Sequence, residues 1–348
     1  LEFGTKIYDS KLESINKILL SDLDKLYEIN KIQKKLFDKI FNFEEMNNIN
    51  ILMATYNGAS YIRTQIQSLQ AQTLTDWKLY IHDDGSSDDT MSILKEMKAM
   101  DSRINIIEDG IRFHESGLNF MHLLKFSKAP FCIFCDQDDI WLENKLELML
   151  RFIEAKDNTI PQAVYSNSYV YIPETSDISG YATLCFPQKL KDVLFLNSGI
   201  QGCALMFNAA LRDICKNAPD IVAMHDHVLT VCAAALGELS YLNKRLMLYR
   251  RHQSTVTGPT AKKLSDRYNS FFDMDKTVMS HKHYQALKSL YQKYETYISD
   301  DNKKIFSDYF RFEKECRIRR FSHVLAKGYK LYGRTSILAI KVLLRKFV

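Results

Sequence analysis

The run Phe131-Cys132-Ile133-Phe134-Cys135-Asp136-Gln137-Asp138-Asp139 limits this chain more tightly than any other segment. An apolar strand of core type stops abruptly at three carboxylates. Clustered carboxylates repel one another unless a cation or strong hydrogen bonds compensate. Alternate residues of an extended segment point the same way, which aims Asp136 and Asp138 at one ligand. A hard divalent cation such as Mg2+ or Mn2+ takes oxygen ligands of this kind. The competing role is capping of a helix that starts near Trp141, with Asp139 as the cap. That role leaves two acids without a structural task.

The pattern around this run is α/β. Strands at Ile49–Thr55, Trp77–His82, Ile104–Glu108, Phe131–Cys135, Ala163–Ile172, Gly202–Phe207 and Leu239–Leu242 alternate with helices near 61–71, 90–100, 118–127, 142–155 and 227–236. Residues 6–47 carry three- and four-residue apolar spacing and predict an N-terminal helical extension. Residues 264–348 are helical by pattern. The expected division is a cloning remnant at 1–5, helices at 6–47, a catalytic domain at 48–258 and a basic helical region at 259–348. With 348 residues, 46% of them hydrophobic, the chain has ample core. Seven scattered cysteines point to a reducing compartment. Cys132 and Cys135 face opposite sides of a strand, which argues against a redox or zinc pair. No signal peptide or membrane span is visible, so the expectation is a cytoplasmic protein.

Two strand ends upstream supply polar turns. Ala54-Thr55-Tyr56-Asn57 closes the first strand, and Asp83-Asp84-Gly85-Ser86-Ser87-Asp88 closes the second. Ligands in α/β sheets bind at the carboxyl ends of parallel strands. A carboxylate there can accept the N3–H of uracil or thymine. Helix capping by the same acids is the alternative. Neither GxGxxG nor GxxxxGK[ST] is present, which disfavours dinucleotide and P-loop chemistry.

These three elements, in this order over about residues 49–258, resemble the family-2 glycosyltransferases of the GT-A fold. Asp136-Gln137-Asp138-Asp139-Ile140-Trp141 is most similar to the bacterial branch of rhamnosyltransferases and surface-glycan transferases. The resemblance implies a mixed, mostly parallel α/β sheet flanked by helices. It implies that Thr55, Tyr56, Asn57, Asp83 and Asp84 surround the nucleotide. Asp136 and Asp138 would form the DxD element on the ribose and the metal-bound diphosphate. Asp226, in Met224-His225-Asp226-His227, falls where the family places its catalytic base, with the two histidines nearby to poise it. An acceptor hydroxyl must lose its proton as it attacks, which requires such a group. Gly202 in Gln201-Gly202-Cys203-Ala204 would line the sugar, since glycine permits close approach. Arg250 and Arg251 would neutralise phosphate, and His252 would complete the metal shell. The implied reaction is an inverting transfer from a UDP- or dTDP-linked sugar to a glycan, lipid-linked or glycoprotein acceptor. A sugar-nucleotide nucleotidyltransferase and a non-catalytic nucleotide- or glycan-binding module are the rivals.

Charge divides the chain. Residues 262–348 hold 20 Lys/Arg against 9 Asp/Glu, a balance of +11, and the remainder carries −6. Such a basic amphipathic tail suits either the inner face of an anionic membrane or packing on the body or on a second copy. No recognition motif accompanies the charge, so nucleic acid is not an expected partner.

Overall fold

The computed structural model describes residues 48–251 and 273–348. The expected N-terminal helices, the 258/259 boundary and His252 lie outside the described residues.

The chain alternates β1 (Ile49–Thr55), α1 (Ile62–Gln70), β2 (Trp77–Asp83), α2 (Thr90–Met100), β3 (Ile104–Ile107), α3 (Ser116–Leu123), β4 (Phe131–Cys135), β5 (Ile140–Trp141) and α4 (Lys145–Glu154). It continues with β6 (Gln162–Ile172), β7 (Asp177–Ser179), α5 (Leu190–Val193), β8 (Leu205–Asn208), α6 (Ala209–Cys215), α7 (His225–Leu236) and β9 (Glu238–Arg250). Among the described residues four helices follow: α8 (His281–Tyr294), α9 (Asp300–Arg311), α10 (Arg317–Lys327) and α11 (Thr335–Leu344).

The described strands form one mixed sheet in the order β3-β2-β1-β4-β8-β6-β9-β5, with β7 on β6. Strands β3, β2, β1 and β4 are mutually parallel, and β8 runs antiparallel to both β4 and β6. All seven residues of β1 are buried, as a central parallel strand requires. Its Ile49, Ile51 and Met53 meet the α1, α2 and α4 side, while Leu52 and Ala54 meet the α3 and α7 side.

Three local expectations change. Gly202–Ala204 is a 3-10 turn, and β8 begins only at Leu205. Strand β9 reaches Arg250, far beyond Leu242, because it pairs with β6 almost to the end of both strands. Asp139 does not cap the following helix, which starts behind Asn144.

The C-terminal helices belong to the α3/α7 core. Tyr284, Phe306, Tyr309, Phe312, Val324, Tyr329, Leu338 and Phe347 join Leu52, Phe134, Phe195 and Leu229 in one buried cluster. Phe347 touches the rings of Phe195, Tyr284 and Phe312 with centroids 5.6–6.1 Å apart. Phe347→Ala is expected to cost about 3–5 kcal/mol in urea unfolding, by loss of transfer energy and cavity formation. A change below about 1 kcal/mol would show that the last residues do not hold the core.

Candidate active site

Polar turns at the carboxyl ends of β1 and β2 interlock. Thr55 Oγ1 donates to Asp83 Oδ1 (2.9 Å). Asp83 also accepts from Gly85 N, Ser86 N and Ser86 Oγ at 2.6–3.0 Å. That carboxylate is therefore consumed in shaping the turn. Asn57, at φ +47°, donates its N–H to Ser86 Oγ and accepts from Ser87 N, both at 2.8 Å. Asp84 is buried and accepts the Phe113 N–H (2.5 Å). Tyr56 presents a ring that is 56% exposed beside this turn. Of the two acids, Asp84 is the one that local bonds leave suited to a base, while Asp83 is structural.

The β4 end is joined to the β1 end by Gln137. Its Oε1 accepts Tyr56 N–H (3.0 Å) and its Nε2 donates to Tyr56 O (2.9 Å). The amide lies across Gly58, where any Cβ would overlap it. Sequence reasoning passed over Gln137 because an amide between acids carries no charge signal. Arg112, whose guanidinium rests on Gly85, was missed because it sits in an irregular loop.

The acids of 136–139 divide sharply. Burial, then the neighbouring Asp138, and further on Asp226, raise the Asp136 carboxyl to about 7. Asp139 is fully buried and pushed well above the carboxylate range by burial and by Asp136 and Asp138. Asp139 Oδ1 accepts Arg250 N–H (3.1 Å), and Arg250 Nε donates to Asp138 O (2.6 Å). The Arg250 guanidinium lies over Tyr61 and Tyr171, 5.0 and 5.2 Å from the ring centroids. In this geometry Arg250 holds the acidic loop. Arg251 donates its N–H to Tyr171 O (2.9 Å), and its buried Nε has no protein partner among the described residues.

Ligand atoms of Asp136, Asp139 and Cys203 lie within 4.8 Å of one another. Burial and the adjacent acids push the Cys203 thiol well above its usual range, so it stays protonated. A hard cation has no use for a neutral thiol, so this group offers it the oxygens of Asp136 and Asp139, the latter held neutral by burial. Beneath them lies Lys145, fully buried, with Nζ donating to Cys203 O (2.7 Å) and 3.6 Å from the Trp141 centroid. Burial lowers its ammonium to about 8, while the surrounding Cys203, Cys135, Asp139 and Asp136 work the other way. Its signal was present in the sequence: a lysine four and eight residues before the buried Met149 and Ile153 stands on the apolar face of α4.

Asp226 enters in the first turn of α7 and is 9% exposed. Burial raises its carboxyl to about 6, against the His227 N–H (2.7 Å) and the Asn197 side chain, which favour the ion. The histidines do not poise it. His227 Nε2 pairs with Val193 O (2.8 Å). His225 stacks on Phe120 (4.0 Å) and meets Phe134 edge-on (4.8 Å), and among the described residues neither of its ring nitrogens has a hydrogen-bond partner. Gly202 is required by this ring, since a Cβ there would overlap His225 Nε2.

The model of the family described as "Glycosyl transferase family 2" matches residues 50–215. Residues 50–215 form a family-2 glycosyltransferase domain. The chain is 28% identical over 229 residues to a dTDP-rhamnosyl transferase of Shigella flexneri, covering 59% of this chain and 73% of that protein. It is 27% identical over 239 residues to the Escherichia coli UDP-Glc:alpha-D-GlcNAc-diphosphoundecaprenol beta-1,3-glucosyltransferase, covering 68% of this chain and 90% of that protein. Among solved structures, S. aureus TarS 1–349 with UDP-GlcNAc superposes with a TM-score of 0.51 at 15% identity, over 85% of this chain and 89% of that one. Against a longer crystallised TarS chain it spans 37% of the length. At such identity the likeness establishes the GT-A fold alone.

Within the family-2 domain, Gly202→Ala is expected to displace His225 and the start of α7, lowering turnover more than tenfold. Steady-state kinetics checks it. Turnover equal to wild type would show that the α7 start tolerates the methyl.

Proposed function

We propose that this family-2 domain transfers a sugar with inversion from a UDP- or dTDP-linked donor to an acceptor hydroxyl in bacterial surface-glycan synthesis. What supports this reading is the family-2 match over residues 50–215, a span in which Asp84, Asp136 and Asp138 follow the carboxyl ends of β2 and β4. The two curated relatives, one named for a dTDP-sugar and one for UDP-Glc, supply the donor class. Thymine and uracil offer the same N3–H to Asp84. The acceptor is a glycan, a lipid-linked sugar or a glycoprotein; the E. coli relative, named for a diphosphoundecaprenol-linked sugar, favours the lipid-linked class.

Each residue has a task. Asp84 and the Tyr56 ring bind the base, and Gln137 keeps the base loop in register with the acidic loop. Asp138 and Asp136 would hold Mg2+ or Mn2+, with His252 as the third candidate ligand. Such a cation, when bound, neutralises charge on the diphosphate leaving group. Asp226 takes the acceptor proton as the hydroxyl attacks the anomeric carbon.

Asp226→Asn is expected to lower transfer by about 10²–10⁴-fold while donor binding survives. Asp138→Ala is expected to weaken cation-dependent donor binding instead. The base must be ionised, so with saturating cation the rate falls as pH drops through about 6 and is full above it. Donor hydrolysis and transfer with UDP-, dTDP- and GDP-sugars read both effects. Unchanged turnover in Asp226→Asn overturns the assignment.

The basic C-terminal helices are proposed to rest on an anionic membrane surface. Helix α10 exposes Ile318 (72%) and Leu325 (50%) beside exposed Arg317, Arg319 and Lys327. Apolar anchors ringed by cations suit that surface. No helix among the described residues is long and apolar enough to cross a membrane. Replacing Ile318 and Leu325 by serine should reduce co-sedimentation with phosphatidylglycerol vesicles. Pelleting equal to that of the full wild-type chain removes the idea.

A further inference from the structure

A second group of ligating side chains lies outside this chemistry. His82 is near the end of β2, His122 is on α3, and Asp109 is on the loop between β3 and α3. His122 Nε2 lies 2.7 Å from Asp109 Oδ2, and His82 Nε2 lies 3.2 Å from Asp109 Oδ1. All three ligand atoms fall within 4.8 Å of one another. The imidazoles are 2% and 9% exposed and are walled by Phe113 and Phe126.

The neighbouring Asn119 places a hydrogen on His82 Nδ1. Asn119 Nδ2 faces the His82 backbone oxygen at 3.2 Å. A carbonyl oxygen can only accept, so the carboxamide nitrogen must be on that side. Asn119 Oδ1 then faces His82 Nδ1 at 2.6 Å, and that nitrogen must carry the hydrogen. A neutral imidazole with Nδ1–H has a bare lone pair at Nε2. That lone pair points at a carboxylate oxygen. His122 Nε2 faces the other oxygen of the same carboxylate at 2.7 Å. Two imidazole nitrogens and one carboxylate therefore converge within 4.8 Å of one another, the spacing of ligands about a single cation.

We propose that His82, Asp109 and His122 form a structural site for a transition-metal ion of the zinc class, separate from the hard-cation pair Asp136 and Asp138. Two imidazoles and one carboxylate, with the carboxylate side open to water, match the ligand preferences of zinc. Asn119 supplies the outer hydrogen bond that fixes the tautomer of a ligating histidine. The ion has a mechanical consequence. It tethers the loop whose Phe113 N–H is bonded to Asp84, and so stiffens the wall of the nucleotide pocket.

The test uses the full chain, stripped with a chelator and then titrated with Zn2+ and Co2+. One equivalent of zinc should survive gel filtration, Co2+ should give visible d–d absorption, and zinc should raise Tm. Asp109→Asn, an isosteric change, should abolish uptake while circular dichroism stays native. Asn119→Ala should weaken affinity by about 10–100-fold, and Asp138→Ala should leave uptake intact. Substoichiometric zinc in wild type, or equal uptake by Asp109→Asn, overturns the site. Nitrogen NMR showing both ring nitrogens of His82 protonated in the metal-free protein also overturns it, in favour of an ordinary ion pair.

Discussion

The grip of Arg250 on the loop after β4 is the constraint from which the site follows. One backbone N–H on Asp139 and one guanidinium N–H on the Asp138 carbonyl tie the end of β9 to the acidic loop. This holds Asp136 and Asp138 forward while Asp139 is turned inward. Like charges so close resist assembly, and buried Lys145 offsets part of that repulsion from below. The acids remain difficult to ionise together, and that unmet demand makes a cation fit there.

The same economy appears at the base end. Asp83 spends its oxygens on the Thr55–Ser86 turn, which frees Asp84 for another task. Gln137 bonds both backbone groups of Tyr56, so the base loop and the acidic loop move as one piece. Asp226 arrives from a third element, at a helix start fixed by the fit of His225 against Gly202, Phe120 and Phe134. Three strand ends and one helix start thus make up the proposed site, and the sheet lies beneath them.

Most of the sheet was readable because buried parallel strands are short apolar runs closed by polar turns. Strands β1 and β4 follow that rule, and the structure gives Ile49–Thr55 and Phe131–Cys135. The Gly202 segment did not follow it. Its apolar character comes from burial in a 3-10 turn, which periodicity cannot separate from a strand. The reach of β9 was missed because its middle is polar and exposed, and pairing with β6 carries it through. The basic tail read as suited to a membrane surface or to packing on the body or a second copy, and its aromatic residues complete the core against Phe195. Charge on an outer face gives no indication of what the inner face covers.

The order of motifs along the chain by itself determined the fold class and family, because each motif terminates a strand and strand ends converge in an α/β sheet. Which acid does what was decided only in three dimensions. Asp83 and Asp84 are adjacent in sequence, as are Asp138 and Asp139, and residue type cannot tell them apart. Hydrogen bonding separates the first pair, since Asp83 accepts from Thr55, Gly85 and twice from Ser86 whereas Asp84 accepts the Phe113 N–H, and burial separates the second.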